Sequence, residues 1–144
     1  MLEMFEVTLK MVLLMGLFYI AWFDYRTKLI EARWLWIIGA LGVLLLLLHS
    51  GIAVAGQIFA GTLPGWILLI LAWISGESIG FGDGWLFVVT GIFLGWRKNA
   101  VLLLGSLIFA GVFSIFCLVL KKKEKNDRIA LAPFVLAAYV GVVL

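Results

Sequence analysis

Two aspartates stand apart from the other acidic residues of this chain. Asp24 closes an apolar stretch in "YIAWFDYRTKLI", and Asp83 opens another in "SIGFGDGWLF". They are 59 residues apart. Two carboxylates brought close share one proton, because like charges at short range resist ionising together, and the pair then titrates as a unit. Its ionised member takes a proton from water while its protonated member donates to a peptide carbonyl oxygen. That is general acid–base hydrolysis without a covalent intermediate, in which each role typically contributes about 10²–10⁴-fold in rate.

Glycines crowd the second acid: Gly76, Gly80, Gly82 and Gly84. Glycine permits close backbone approach and positive φ, which suits a loop that admits an extended peptide. Irregular backbone at membrane depth is tolerated only where it is buried in protein or lines a wet cavity, so "SGESIGFGDG" implies a cavity. Glu77 is expected to face interfacial water, or else to shape this loop or bind a basic part of a substrate. Plainer roles compete. Asp83 has the character of a helix N-cap, although Leu86 stands where a capping box needs Glu or Gln. Asp24 has Lys28 four residues on as an ion-pair partner. Arg26, Lys28 and Arg33 are candidates for contact with negative charge on a substrate or on lipid head groups.

The elements that must position these acids are read from composition. Of 144 residues, 65% are hydrophobic and 13% charged, and the mean hydropathy is +1.21. Soluble domains keep about a quarter of their residues charged, so lipid is the main solvent here. Cys117 is the only cysteine, which excludes an intramolecular disulfide framework and a multi-cysteine zinc site. No cofactor or metal is expected. A span needs roughly 20 mainly apolar residues, and six candidates follow: about 4–23, 33–49, 51–74, 84–97, 99–120 and 128–144. The first lacks the basic start and small-residue cleavage site of a signal peptide and is expected to remain a helix. The chain thus reads as one all-α polytopic membrane domain over 1–144, with about six transmembrane helices.

Lysine and arginine concentrate in cytoplasmic loops. The loops after spans one, three and five hold eight of them (Arg26, Lys28, Arg33, and five in "KKKEKNDR"), against Lys10, Arg97 and Lys98 on the other side. This places the N-terminus outside and puts Asp24 and Asp83 on the cytoplasmic side. The net charge of +3 is a topological signal, and nucleic-acid binding is not expected, since the interleaved aromatics and basic groove it needs are absent. His49 falls at an outer turn, remote from both acids. Gln57 and Pro64 are expected to give a packing contact and a kink. "GQIFAG" and "GSLIFAG" are expected to mark small-residue helix contacts.

The three motifs together resemble the type IV prepilin peptidases, a group of intramembrane aspartyl proteases. "GESIGFGDG" is similar to the family's G-x-G-D motif. "FDYRTKLI" is similar to its first aspartate motif, D-x-R-x-x-x-I, at Asp24, Arg26 and Ile30. "RIALAPFVLAAYVG" resembles its last helix, with an A-P-F element at Ala132, Pro133 and Phe134. The resemblance implies Asp24 and Asp83 as the catalytic pair and Gly80 and Gly82 as the motif glycines. It implies cleavage of a short basic leader from a type IV pilin, pseudopilin or Flp-type precursor, on the cytoplasmic side of the cell membrane. Many relatives carry lysine two residues after the second aspartate, where this chain has Trp85, and proline where it has Glu31. The paired-cysteine insert of the bifunctional, methylating members is absent. A small proton-coupled transporter or channel subunit, and a non-catalytic pilus assembly factor, are the rival readings. A transporter needs acids near mid-membrane, whereas both of these lie at one edge.

Overall fold

The computed structural model describes residues 2–28, 30–76, 80–120 and 129–144. Among them the fold is all-helical: α1 (Leu2–Thr27), α2 (Ala32–Ser50), a single 3-10 turn (Gly51–Val54), α3 (Ala55–Ile74), α4 (Phe81–Val119) and α5 (Ala132–Val142). Three stretches are long and apolar enough to cross a membrane, Glu3–Thr27, Ala32–Ile74 and Phe81–Val119, and α5 is a shorter apolar helix. Spanning length is therefore established for three stretches where the hydropathy pattern suggested six. The reason is continuity. The expected second and third segments are joined by the 3-10 turn, and the expected fourth and fifth are merged into α4.

α4 is nonetheless not straight. Gly95 has φ 71° and ψ 175°, a conformation that glycine adopts without a Cβ penalty. The Asn99 side-chain amide donates to the Phe87 carbonyl at 2.9 Å. Twelve residues of unbroken helix would hold those positions about 18 Å apart. The chain therefore folds back at Gly95, and its two arms, 81–94 and 96–119, run side by side. The same amide donates to the Gly61 carbonyl on α3 at 2.9 Å, and the Thr90 hydroxyl donates to Asn99 Oδ1 at 2.7 Å. Asn99 and Thr90 are fully buried. One amide side chain thus ties both arms to α3, in a setting where water cannot compete for its bonds.

Small residues bring the backbones that close. A Cβ on Gly61 would fall on the Gly91 carbonyl, and one on Gly91 would fall on the Gly61 carbonyl. This is the close approach that small residues give lipid-embedded helices. Gly61 thus serves as its motif suggested, and Gly105 packs on Ala138, but Gly56 and Gly111 face open space. Gln57 is exposed rather than packed, because α3 begins only at Ala55 and its first turn lies outside the bundle. Pro64 is buried within α3. His49 ends α2 and stacks on Phe5 at 3.7 Å.

The core gathers one stripe of α1 (Leu13, Leu17, Ile20, Ala21), the buried face of α5 (Ala132, Val135, Ala138, Tyr139) and Leu86, Phe87 and Leu102 of α4. The Tyr139 hydroxyl donates to the Lys10 carbonyl at 2.9 Å, which fixes α5 along α1. The outer surface is oily: Leu48, Trp73 and Val119 are each about three-quarters exposed, as a lipid solvent allows.

Candidate active site

Asp24 continues the buried stripe of α1 one turn beyond Ile20 and Ala21, and only 3% of it is exposed. Its Oδ2 accepts the Ala132 backbone N–H at 3.0 Å, a contact spanning 108 residues of sequence. The ion pair with Lys28 does not form. Lys28 adopts φ 53°, its N–H closes on the Asp24 backbone carbonyl at 2.7 Å, and its side chain is exposed. The helix thus ends with the carboxylate turned inward and the ammonium outward.

Asp83 lies in the first turn of α4, three residues past the cap position at Gly80, and no side-chain capping bond is made there. Its N–H donates to the Gly80 carbonyl at 3.1 Å. The N-cap reading is therefore replaced: the helix starts at Phe81, earlier than the apolar run suggested. Asp83 is half-buried. A Cβ on Gly80 would stand 3.1 Å from Asp83 Oδ2, so the carboxyl leans over a residue that has no side chain to block it.

The glycines divide by role. Gly82 and Gly84 belong to α4 rather than to a loop. A Cβ on Gly82 would meet Cβ of Ile30 at 2.8 Å, and one on Gly84 would press into Leu69. Ile30, just past the end of α1, therefore packs on the turn that carries Asp83, and this contact holds the two aspartate segments together. Glu77 lies outside the described residues. Arg26 stacks over Trp22 at 4.8 Å, and Arg33 pairs with Glu31 at 3.2 Å with its side chain 84% exposed. Neither these two nor Lys28 is brought to the acids. Among the described residues no group of three or more His, Cys, Asp or Glu could hold a metal ion.

Two features escaped the sequence reading. The Ala132 N–H is invisible to residue-type logic, although Pro133 hinted at a helix start with a donor to spare. Trp85 packs on Trp36 at 4.7 Å and Trp66 at 5.9 Å. It lies about 200° around the helix from Asp83, beside an apolar groove of about 430 Å³ between α2 and α4. Trp85 and the groove thus sit behind the acids, on the opposite flank of α4.

The Gly82–Ile30 contact gives a compensation test. Gly82→Ala is expected to separate the aspartate segments and lower activity, because the new methyl has no space against Ile30. Adding Ile30→Gly, which removes the obstructing Cβ, should recover part of the loss. Neighbours in contact typically couple by about 0.5–3 kcal/mol. Additive losses across the four rates of the double-mutant cycle would show that the two positions do not touch.

The ends of α1, α4 and α5 thus come together around Asp24 and the turn that carries Asp83, in a helical protein whose surface is suited to lipid. That defines a helical membrane protein with two carboxyl side chains on adjoining helix ends. The chain belongs to the type IV leader peptidase family, whose model matches residues 11–115 and so spans both aspartates while leaving α5 outside the match. It is a peptidase by that membership. No curated protein and no solved structure matches it.

Proposed function

We propose that this protein is an aspartic-type endopeptidase that removes the leader from pilin-like precursors at the cytoplasmic face of the membrane. The observation that carries the reading is the Gly82–Ile30 contact, which sets the segment after Asp24 against the turn that carries Asp83. The two acids, 59 residues apart in sequence, are carried on segments that this contact braces against each other. Asp24 and Asp83 share one proton and hold a water between them. The ionised member takes a proton from the water as its oxygen attacks the scissile carbonyl carbon. The protonated member donates to the carbonyl oxygen, giving a neutral tetrahedral diol. Return of protons to the departing nitrogen then splits the C–N bond, yielding a carboxylate on the leader and an amine on the mature chain. The basic loops favour an orientation with the N-terminus outside and six crossings, the two arms of α4 counting separately.

The test is reconstitution of the purified protein in liposomes with a pilin-like precursor, the cut being located by mass spectrometry. Cleavage should yield a single new N-terminus and survive both metal chelators and Cys117→Ser. Loss of activity with a chelator would contradict the aspartic mechanism.

A further inference from the structure

The N-terminal turn of α5 leaves one backbone donor free, and that donor is spent on Asp24. The first N–H groups of a helix have no intrahelical partner and must find another acceptor. In α5 the three positions after the cap, 132–134, are accounted for by sequence and geometry. Leu131, at the cap position, has no side-chain acceptor and makes no side-chain capping bond. Pro133 has no N–H. The Phe134 and Val135 N–H groups both turn back to the Leu131 carbonyl, at 2.9 and 3.1 Å. Ala132 alone remains, fully buried, and its N–H donates to Asp24 Oδ2 at 3.0 Å. Among the described residues Asp24 Oδ1 and both oxygens of Asp83 receive no such bond.

The geometry points to the Leu131–Pro133 turn as part of the catalytic apparatus, with the Ala132 N–H as a positioning group that fixes one oxygen of Asp24 and leaves Oδ1 as the oxygen that handles the water. This rests on the reading of Asp24 and Asp83 as the hydrolytic pair. The Asp24 carboxyl is buried near the end of α1, and the bond from Ala132 selects one orientation about its last side-chain torsion. Held at Oδ2, the carboxyl keeps Oδ1 aimed. The local sequence serves this function at each position. Leucine at the cap offers no competing acceptor, proline at the second helical position removes a competing donor, and the alanine between them is fully buried.

The test uses the full-length protein in liposomes. Replacing Ala132 by lactic acid turns its amide into an ester, which removes the N–H and leaves every side chain in place. The expected result is a fall in kcat of roughly 10²-fold, the size of loss a misaimed catalytic group brings, with KM and the thermal midpoint unchanged. Ala132→Gly retains the N–H and should keep most of kcat. Unaltered kcat in the ester variant, while the unmodified protein cleaves the precursor, would overturn the positioning role. So would parallel losses in kcat and thermal midpoint that Ala132→Gly reproduces, since those would mark a purely structural cap. Failure of the unmodified protein to cleave any precursor would instead remove the hydrolytic reading beneath it.

Discussion

Asp83→Asn and Asp24→Asn are each expected to leave a pilin-like precursor at full length. Asparagine keeps the size and shape of the side chain and removes its ability to exchange a proton. Because one member must accept a proton while the other donates, neither acid can cover for its partner. Each acid–base role is worth about 10²–10⁴-fold, and groups that act as one unit lose nearly everything when either is removed. The assay follows precursor size on a gel, with the variant shown to be membrane-inserted at unmodified levels. Asp24→Asn carries an added constraint: its amide must be oriented with Oδ1 or its equivalent toward Ala132 to keep the bond at 3.0 Å. Asp83→Asn has no such bond to preserve among the described residues. It is therefore the cleaner substitution, and it should bind precursor without cutting it.

The second large effect concerns the scaffold. Gly61→Leu or Gly91→Leu is expected to abolish the folded protein. At both positions a Cβ would collide with backbone of the facing segment, not with the movable end of a side chain. α3 cannot retreat without also breaking the Asn99 bond to the Gly61 carbonyl. Overpacking in a well-filled core costs typically 1–3 kcal/mol and sometimes more. Here the loss of that interhelical hydrogen bond, about 0.6 kcal/mol on average in a membrane protein, is added to it. Thermal unfolding in detergent should show a large fall in midpoint, or no recoverable protein. Gly56→Leu is the matched control, since that position opens on empty space and should tolerate the change.

How far these features were legible from the sequence differs from residue to residue. The two aspartates were legible because a charge at the edge of an oily stretch is costly and so stands out. Their convergence could only be supposed, since no local rule links residues 59 apart. The fold class followed directly from composition. The helix boundaries did not: Phe81 and Gly82 carry no strong start signal, so the capping logic settled on Asp83 and placed the helix too late. A reversal was expected within "GWRKNA", where the spans 84–97 and 99–120 divide at Arg97 and Lys98, and it falls a little earlier, at Gly95. The residue that matters there is Asn99, which reads as a loop polar group and is in fact the buried tie between three helical segments. The glycines near Asp83 were read as loop flexibility, whereas Gly82 and Gly84 are sites of close packing. Distinguishing these two uses of glycine requires knowing what faces it. The Ala132 N–H belongs to the backbone, and only Pro133 beside it left a trace in the sequence.

The central claim is that the two acids meet, and it is tested most directly by bridging them. In a Cys117→Ser background, Asp24→Cys and Asp83→Cys are introduced together, and native membranes are treated with a short bis-thiol reagent before intact-mass analysis. The account predicts a single internal bridge between positions 24 and 83, formed at one reagent per protein and lost after unfolding in detergent. Two independently capped thiols, with no bridged species across a series of short spacers, would contradict it.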